Sequence, residues 1–220
     1  FSANVSATSV SGESQSAAKV FCRGYTCRIV ADIESDIDIS RPIALNVKAL
    51  DADNNPAKVK LTYRLINESS DTVLRGTFFQ NEKIDLSGIA SGIYSICFRT
   101  AGSESEAVTV ENIALYRPSD SLPPRKNPVW VPRRRITAGD SIMFGTSAPE
   151  THLLYTLWSP GITHSREWLV LKPGIHFIKP HVPSGTSELN ASFFAVKNYE
   201  TSTANVAVSI PDPTNELKII

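Results

Sequence analysis

Two runs decide the fold: Ile43-Ala-Leu-Asn-Val-Lys-Ala49 and, after a short connection, Val59-Lys-Leu-Thr-Tyr-Arg-Leu65. In the first, Ile43, Leu45, Val47 and Ala49 alternate with Pro42, Ala44, Asn46 and Lys48. In the second, Val59, Leu61, Tyr63 and Leu65 alternate with Lys58, Lys60, Thr62 and Arg64. A period of two places successive side chains on opposite sides of an extended chain, so each run reads as a strand with one buried face. The connection, Asp51-Ala-Asp-Asn-Asn-Pro56, is made of turn formers, which completes a two-strand unit.

Outward from this unit, strands are expected at about residues 19–34, 72–80, 92–100 and 106–116, with a shorter one near 82–86. Roughly seven short strands separated by polar turns are the pattern of an immunoglobulin-like sandwich. From Arg117 to Pro132 the composition changes: Pro118, Pro123, Pro124, Pro128 and Pro132 fall close together, and proline removes a ladder donor while stiffening the chain. The domain boundary is placed here. Beyond it, strands are expected at about 129–137, 141–147, 152–158, 166–171, 174–181, 189–197 and 203–210, the last marked by Val206, Val208 and Ile210 alternating with Ala207 and Ser209. No window shows a 3.6-residue period free of Gly and Pro, so almost no helix is expected. The expected architecture is all-β: two tandem immunoglobulin-like antiparallel β-sandwiches, residues 1–118 and 119–220. The Ser- and Ala-rich residues 2–18 form either a frayed end or the last strand of a preceding domain.

The chain has 220 residues, and its 22 Lys and Arg balance 22 Asp and Glu, so no net field gathers nucleic acid or an anionic membrane. The split is mild, −2 in residues 1–118 (12 basic, 14 acidic) and +2 in residues 119–220 (10 basic, 8 acidic). No run approaches the roughly 18 apolar residues of a membrane helix, and no direct membrane insertion is expected. Twenty-six Ser and 16 Thr beside one Met are a β-rich, turn-rich bias. The chain begins at Phe1, so it is expected to be a mature product or a segment of something longer.

Motifs that carry chemistry are scarce. Cys22 and Cys27 flank a four-residue loop, Arg23-Gly-Tyr-Thr26, and are either a disulfide, which belongs to an oxidising compartment, or two reduced thiols. Cys97, between inward-reading Ile96 and Phe98, reads as a small strand residue. The cysteine spacing fits no zinc motif, and His152, His164, His176 and His181 lie far from it without forming HExxH. No GxSxG elbow and no phosphate-cradling glycine loop occurs, so no enzymatic activity, cofactor or metal is expected. Asp32, Glu34, Asp36 and Asp38 repeat with a period of two and read as a charged edge strand guarded against pairing, or else as a site for a cation or basic partner. Asp51, Asp53 and Asn55 imitate the start of a calcium loop, but Pro56 stands where Gly is needed and Thr62 where Glu is needed, which leaves a turn. The densest cationic patch is Arg125, Lys126, Arg133, Arg134 and Arg135 around Trp130. It reads as a bridge to a neighbouring domain or a solvated surface, with an acidic glycan or nucleic acid as the sharper alternative.

Several of these runs carry a resemblance. Lys58-Val-Lys-Leu-Thr-Tyr-Arg-Leu65, Leu74-Arg-Gly-Thr-Phe78 and Ile84-Asp-Leu-Ser-Gly-Ile-Ala-Ser-Gly-Ile-Tyr-Ser-Ile96 resemble a macroglobulin-like domain of the long bacterial alpha-2-macroglobulins, with Gly92 allowing close approach and Tyr94 anchoring a sandwich corner. Ala138–Thr146, Leu154–Leu157, Ala195–Tyr199 and Val206–Asp212 look like a second such domain. The resemblance implies scaffold domains of an extracytoplasmic protein (periplasmic, cell-surface or secreted) that entraps proteases. Their partners would be neighbouring domains of the same parent chain and, through the full-length protein, proteases. The GCGEQ-type thioester sequence is absent, and no bait segment is identifiable. The alternative reading is a tandem adhesin or glycan-binding module with Trp130, Trp158 and Trp168 as stacking rings. Against it stands the expectation that these large rings fill the sandwich cores.

Overall fold

The computed structural model describes residues 2–8, 14–20, 27–51, 53–80, 82–101, 107–197 and 199–211, with only the backbone described for 2–8 and 14–20. The chain divides into two compact units, Phe1–Pro118 and Ser119–Ile220. The described residues form strands and turns without a helix.

In the first unit, β1 (Ser2–Thr8) and β2 (Ser14–Val20) pair antiparallel. The strands that follow are β3 (Arg28–Asp32), β4 (Asp36–Asp38), β5 (Ile43–Ala44), β6 (Asn46–Leu50), β7 (Leu61–Asn67), β8 (Thr72–Phe78), β9 (Lys83–Ile84), β10 (Gly92–Thr100) and β11 (Val108–Tyr116). A five-stranded sheet runs β4-β11-β10-β7-β8, with β4 parallel to β11. The pairs β3-β6 and β5-β9 supply further strands. Leu45, Val47 and Ala49 are buried, as their alternation requires, together with Leu61, Tyr63 and Leu65 from β7. The core they share with Phe78, Ile96, Phe98, Ile113 and Leu115 lies between these layers. Tyr63 and Phe98 each meet Phe78 edge-on, with centroids 5.9 and 6.1 Å apart.

Two local devices keep this core in register. On β11 both Val110 and Ile113 are buried although they are three apart, because the ladder shifts between Tyr94 and Ile96 and Asn112 takes a left-handed φ of 59°. The bulge resets the alternation, and Asn is among the residues that tolerate this conformation. At the start of β10, the Tyr94 hydroxyl donates to the Ala90 carbonyl at 2.9 Å, the tyrosine corner of sandwich folds. Arg117 ties the same loop, donating to the Ile89 carbonyl at 2.8 Å and to the Ser87 carbonyl. Burial raises the Tyr94 phenol above its ordinary value, and the Arg117 charge partly offsets this. Tyr94→Phe leaves the Ala90 carbonyl without that donor and is expected to cost about 1 kcal/mol in chemical denaturation of this unit. An unchanged midpoint would remove the corner from the account.

Among the described residues of this unit, the tight glycine is Gly76 and not Gly92. A Cβ at Gly76 would stand 2.4 Å from the Tyr63 ring, directly across the strand, whereas one at Gly92 would meet Tyr94 at an ordinary 3.4 Å. Asp51 closes the 51–56 turn, its Oδ1 accepting the amides of Asp53 and Asn55 at 2.9 Å each. The four acidic residues do not share one strand: Asp32 ends β3, Glu34 lies between strands, and Asp36 and Asp38 flank buried Ile37 on edge strand β4. The break follows from Ile37 entering the core beside Leu115, its partner in the ladder.

The second unit contains β12 (Arg135–Thr137), β13 (Ile142–Thr146), β14 (Thr151–Ser159), β15 (Ile162–Leu171), β16 (Gly174–Ile178), β17 (Glu188–Lys197) and β18 (Glu200–Ser209). Its five-stranded sheet runs β12-β18-β17-β14-β15, again with a short first strand parallel to the last. The pair β13-β16 is extended by an antiparallel bridge from Trp130 to Gly145. Both units therefore repeat one strand order, and the chain is two tandem immunoglobulin-like β-sandwiches. The second core gathers Phe144, Leu153, Tyr155, Leu157, Ala191, Phe193, Val206 and Val208. Gly145 is needed where the chain crosses: a Cβ there would lie 2.8 Å from the Gly174 carbonyl oxygen.

Candidate functional site: the outer face of the second sandwich

The alternation that buries one side of β14, β17 and β18 determines what the other side presents. Leu153, Tyr155 and Leu157 face the core, so His152, Leu154, Thr156 and Trp158 face outward. The ladder registers then set four rows across the sheet. The first is Arg135, Ala207, Asn190, Trp158 and Thr163; the second is Asn205, Ser192, Thr156 and Arg166. Thr203, Phe194, Leu154 and Trp168 make the third, and Thr201, Val196, His152 and Val170 the fourth. Trp168 is 61% exposed, Val170 66% and Trp158 37%.

This corrects the expectation of buried tryptophans. Only Trp130 fills space, at 2% exposure, held by paired backbone bonds to Gly145 at 2.8 Å. Trp158 and Trp168 have the outward parity of their strands. On β15 only Leu171 is buried and Leu169 packs half-buried against the core, because this edge strand has a single neighbour. A register shift at Leu157/Trp158 accommodates His164, whose ring nitrogen bonds the Ser159 hydroxyl at 2.8 Å.

The remaining candidates are dispersed. Lys126, Arg133, Arg134 and Arg135 are exposed and Arg125 is half-buried. Of these, Arg135 joins the outer face through its pairing with Ala207, and the Arg134 carbonyl accepts the Ala207 amide at 2.9 Å. His176 is half-buried, its ring 5.6 Å from Phe144 and its Nε2 2.9 Å from the Lys172 carbonyl, while His181 is exposed beyond β16. His152 is exposed on the fourth row. Among the described residues, no three His, Cys, Asp or Glu side chains gather to hold a metal ion. Cys97 is buried, with the Arg64 guanidinium 3.8 Å from its sulfur, and Cys27 is half-buried. Cys22, and with it the Cys22–Cys27 pair, lies outside the described residues. A shallow open depression is lined by Ala138, Gly139, Lys179, Pro180, His181 and Val182. No described helix is long and apolar enough to cross a membrane.

Residues such as Asn190, Arg166 and Phe194 were not singled out by sequence reasoning, because none belongs to a motif. Their signal is positional: Asn190 and Phe194 alternate with buried core residues of β17, and Arg166 pairs with outward Thr156.

No family model matches the chain, and no curated protein matches it in sequence. Among solved structures, it is similar to Escherichia coli alpha-2-macroglobulin activated by porcine elastase, at 14% identity and a TM-score of 0.33, over 84% of this chain and 20% of that one. Salmonella alpha-2-macroglobulin reacted with methylamine matches at 11% identity and a TM-score of 0.33, over 87% of this chain and 15% of that one. The fibronectin(III)-like modules of Clostridium thermocellum CbhA match at 11% identity and a TM-score of 0.26, over 83% of this chain and 94% of theirs. The chain spans a fifth or less of the length of the two macroglobulins.

Proposed function

We propose that the chain is a pair of structural modules of a longer extracytoplasmic protein of the protease-entrapping macroglobulin type, holding neighbouring domains in place and performing no chemistry of its own. The observation that supports this reading is the repetition of one strand order in both units, each with its own closed apolar core. Modules of this kind act through rigidity and surface, and nothing in such a role demands a catalytic constellation. The macroglobulin-like runs quoted above point the wider reading toward protease entrapment.

Two measurements test it. Mixed in equal amounts with an elastase-type serine protease, the 220 residues are expected to leave hydrolysis of a protein substrate unchanged. Stoichiometric inhibition by this segment alone would overturn the scaffold role. The coding sequence on either side is expected to specify further sandwich repeats, and a catalytic domain there would replace the reading with another.

A further inference from the structure

The outer face of the second sandwich combines features that a purely structural surface does not need. We propose that it binds an acidic glycan, laid across β14 and β15 from Trp158 to Trp168. This goes beyond the scaffold reading and stands or falls separately from it.

The geometry comes from the ladder. Leu154 and Trp158 are four positions apart on β14, and Trp168 pairs across from Leu154. At about 3.3 Å per residue and about 4.8 Å between strands, the two tryptophan positions lie about 14 Å apart. That distance spans several pyranose rings of an extended chain. Both indoles are accessible, and the flat apolar faces of sugar rings stack on such rings. Between the two, on β14 and β15, stand the Thr156 hydroxyl and the Arg166 guanidinium, and the same rows continue across β17 and β18 with the Ser192 hydroxyl and the Asn190 and Asn205 amides, groups suited to sugar hydroxyls and acids.

Charge selects among glycans. Arg166 and Arg135 are exposed, neither has an ion-pair partner among the described residues, and no carboxylate occurs in the three rows from Trp158 to Trp168. An uncompensated guanidinium among hydroxyls and amides is matched by a uronate or sulfated sugar, which it can grip through two parallel hydrogen bonds. A nucleic acid fits less well. It carries a charge on every residue, while this face offers two arginines on a chain of zero net charge. A protein partner would find an apolar block in the third and fourth rows, but the polar Thr156 and Arg166 hold the ground between the two indoles.

Electrophoresis of the intact chain through gels containing polygalacturonate, heparin or neutral dextran tests the proposal. Polygalacturonate or heparin is expected to retard the chain, and dextran much less. Trp158→Ala and Trp168→Ala should each weaken the retardation roughly five- to tenfold, and the double variant should abolish it. Arg166→Ser should erase the preference for the acidic polymers while weak retention on dextran survives. Because these side chains are on the surface, unchanged denaturation midpoints confirm that the variants fold. Mobility unaffected by either acidic polymer would overturn the proposal, as would retardation that the double variant retains. Retention on oligo(dT) in place of the glycans, or self-association that the double variant abolishes with no glycan binding, would assign the face to nucleic acid or to protein.

Discussion

Phe193→Ala is expected to lower the stability of the second sandwich by about 3–5 kcal/mol while leaving the first at its original midpoint. Phe193 has no exposed surface, and its ring lies 5.1 Å from Phe144 and 5.3 Å from Tyr155. Phe144 stands on β13 of the small sheet, whereas Tyr155 and Phe193 stand on the large one, so truncation opens a cavity where the two layers meet. Close-packed interiors relax only partly around such a loss. The result is unusually easy to read, because Trp130, Trp158 and Trp168 all lie in the second unit. Tryptophan emission therefore follows that unit alone, and far-ultraviolet circular dichroism follows both. With a urea slope of about 2 kcal/mol/M, the emission midpoint should fall by roughly 2 M. Equal displacement of both signals would mean that the units unfold as one, and no displacement would mean that Phe193 does not join the layers.

The layers themselves were legible because the inward positions obey simple alternation. Leu45, Val47, Ala49, Leu61, Tyr63 and Leu65 all entered the core assigned to them. Alternation does not count strands, however. The run over 43–49 is divided into β5 and β6, which pair with different neighbours, and the run expected over 19–34 yields β3 only from Arg28 onward, with residues 21–26 outside the described set. Nor does alternation anticipate a bulge. Val110 and Ile113 both face inward only because Asn112 adopts a left-handed turn of the backbone, and neither the spacing nor the residue types announce it.

The outer face was harder to read for a physical reason. Trp168-Leu-Val-Leu171 is apolar on both sides, so its own pattern does not say which residues face the core. The decision comes from the partner strand. Leu153 and Tyr155 are buried, Leu153 pairs with Leu169, and Leu154 pairs with Trp168, which turns the indole outward. Size and hydrophobicity pointed the tryptophans inward, and register overrode both. The cationic residues show the complementary failure. Arg125, Lys126 and Arg133–Arg135 are close in sequence, yet only Arg135 reaches the tryptophan face, because β12 is short and only alternate residues share a side.

The second large effect appears in alkali. Tyr155 is buried, and its hydroxyl has no hydrogen-bond partner among the described residues. Burial, with Glu167 across the strand adding repulsion, pushes its phenol up to about 12 from an ordinary 10.0. The fold therefore favours the neutral phenol, and the unfolded chain releases the proton first. The stability tied to this group is complete below pH 10 and is lost as pH rises toward 12, a fall of roughly 2–3 kcal/mol across the interval. Tyr155→Phe removes both the titration and the unsatisfied hydroxyl. Near neutral pH the variant is expected to match the parent or exceed it by about 1 kcal/mol, since an isosteric ring replaces a buried group that gains no bond. Between pH 10 and 12 the difference should widen in the variant's favour, read from tryptophan-detected urea midpoints at each pH. Tyr63 and Tyr94, whose phenols are also raised by burial, belong to the first unit and do not enter this signal. Parallel pH curves for parent and variant would show that the Tyr155 hydroxyl reaches solvent or a partner in solution. A variant less stable at neutral pH would show that the hydroxyl supports the core.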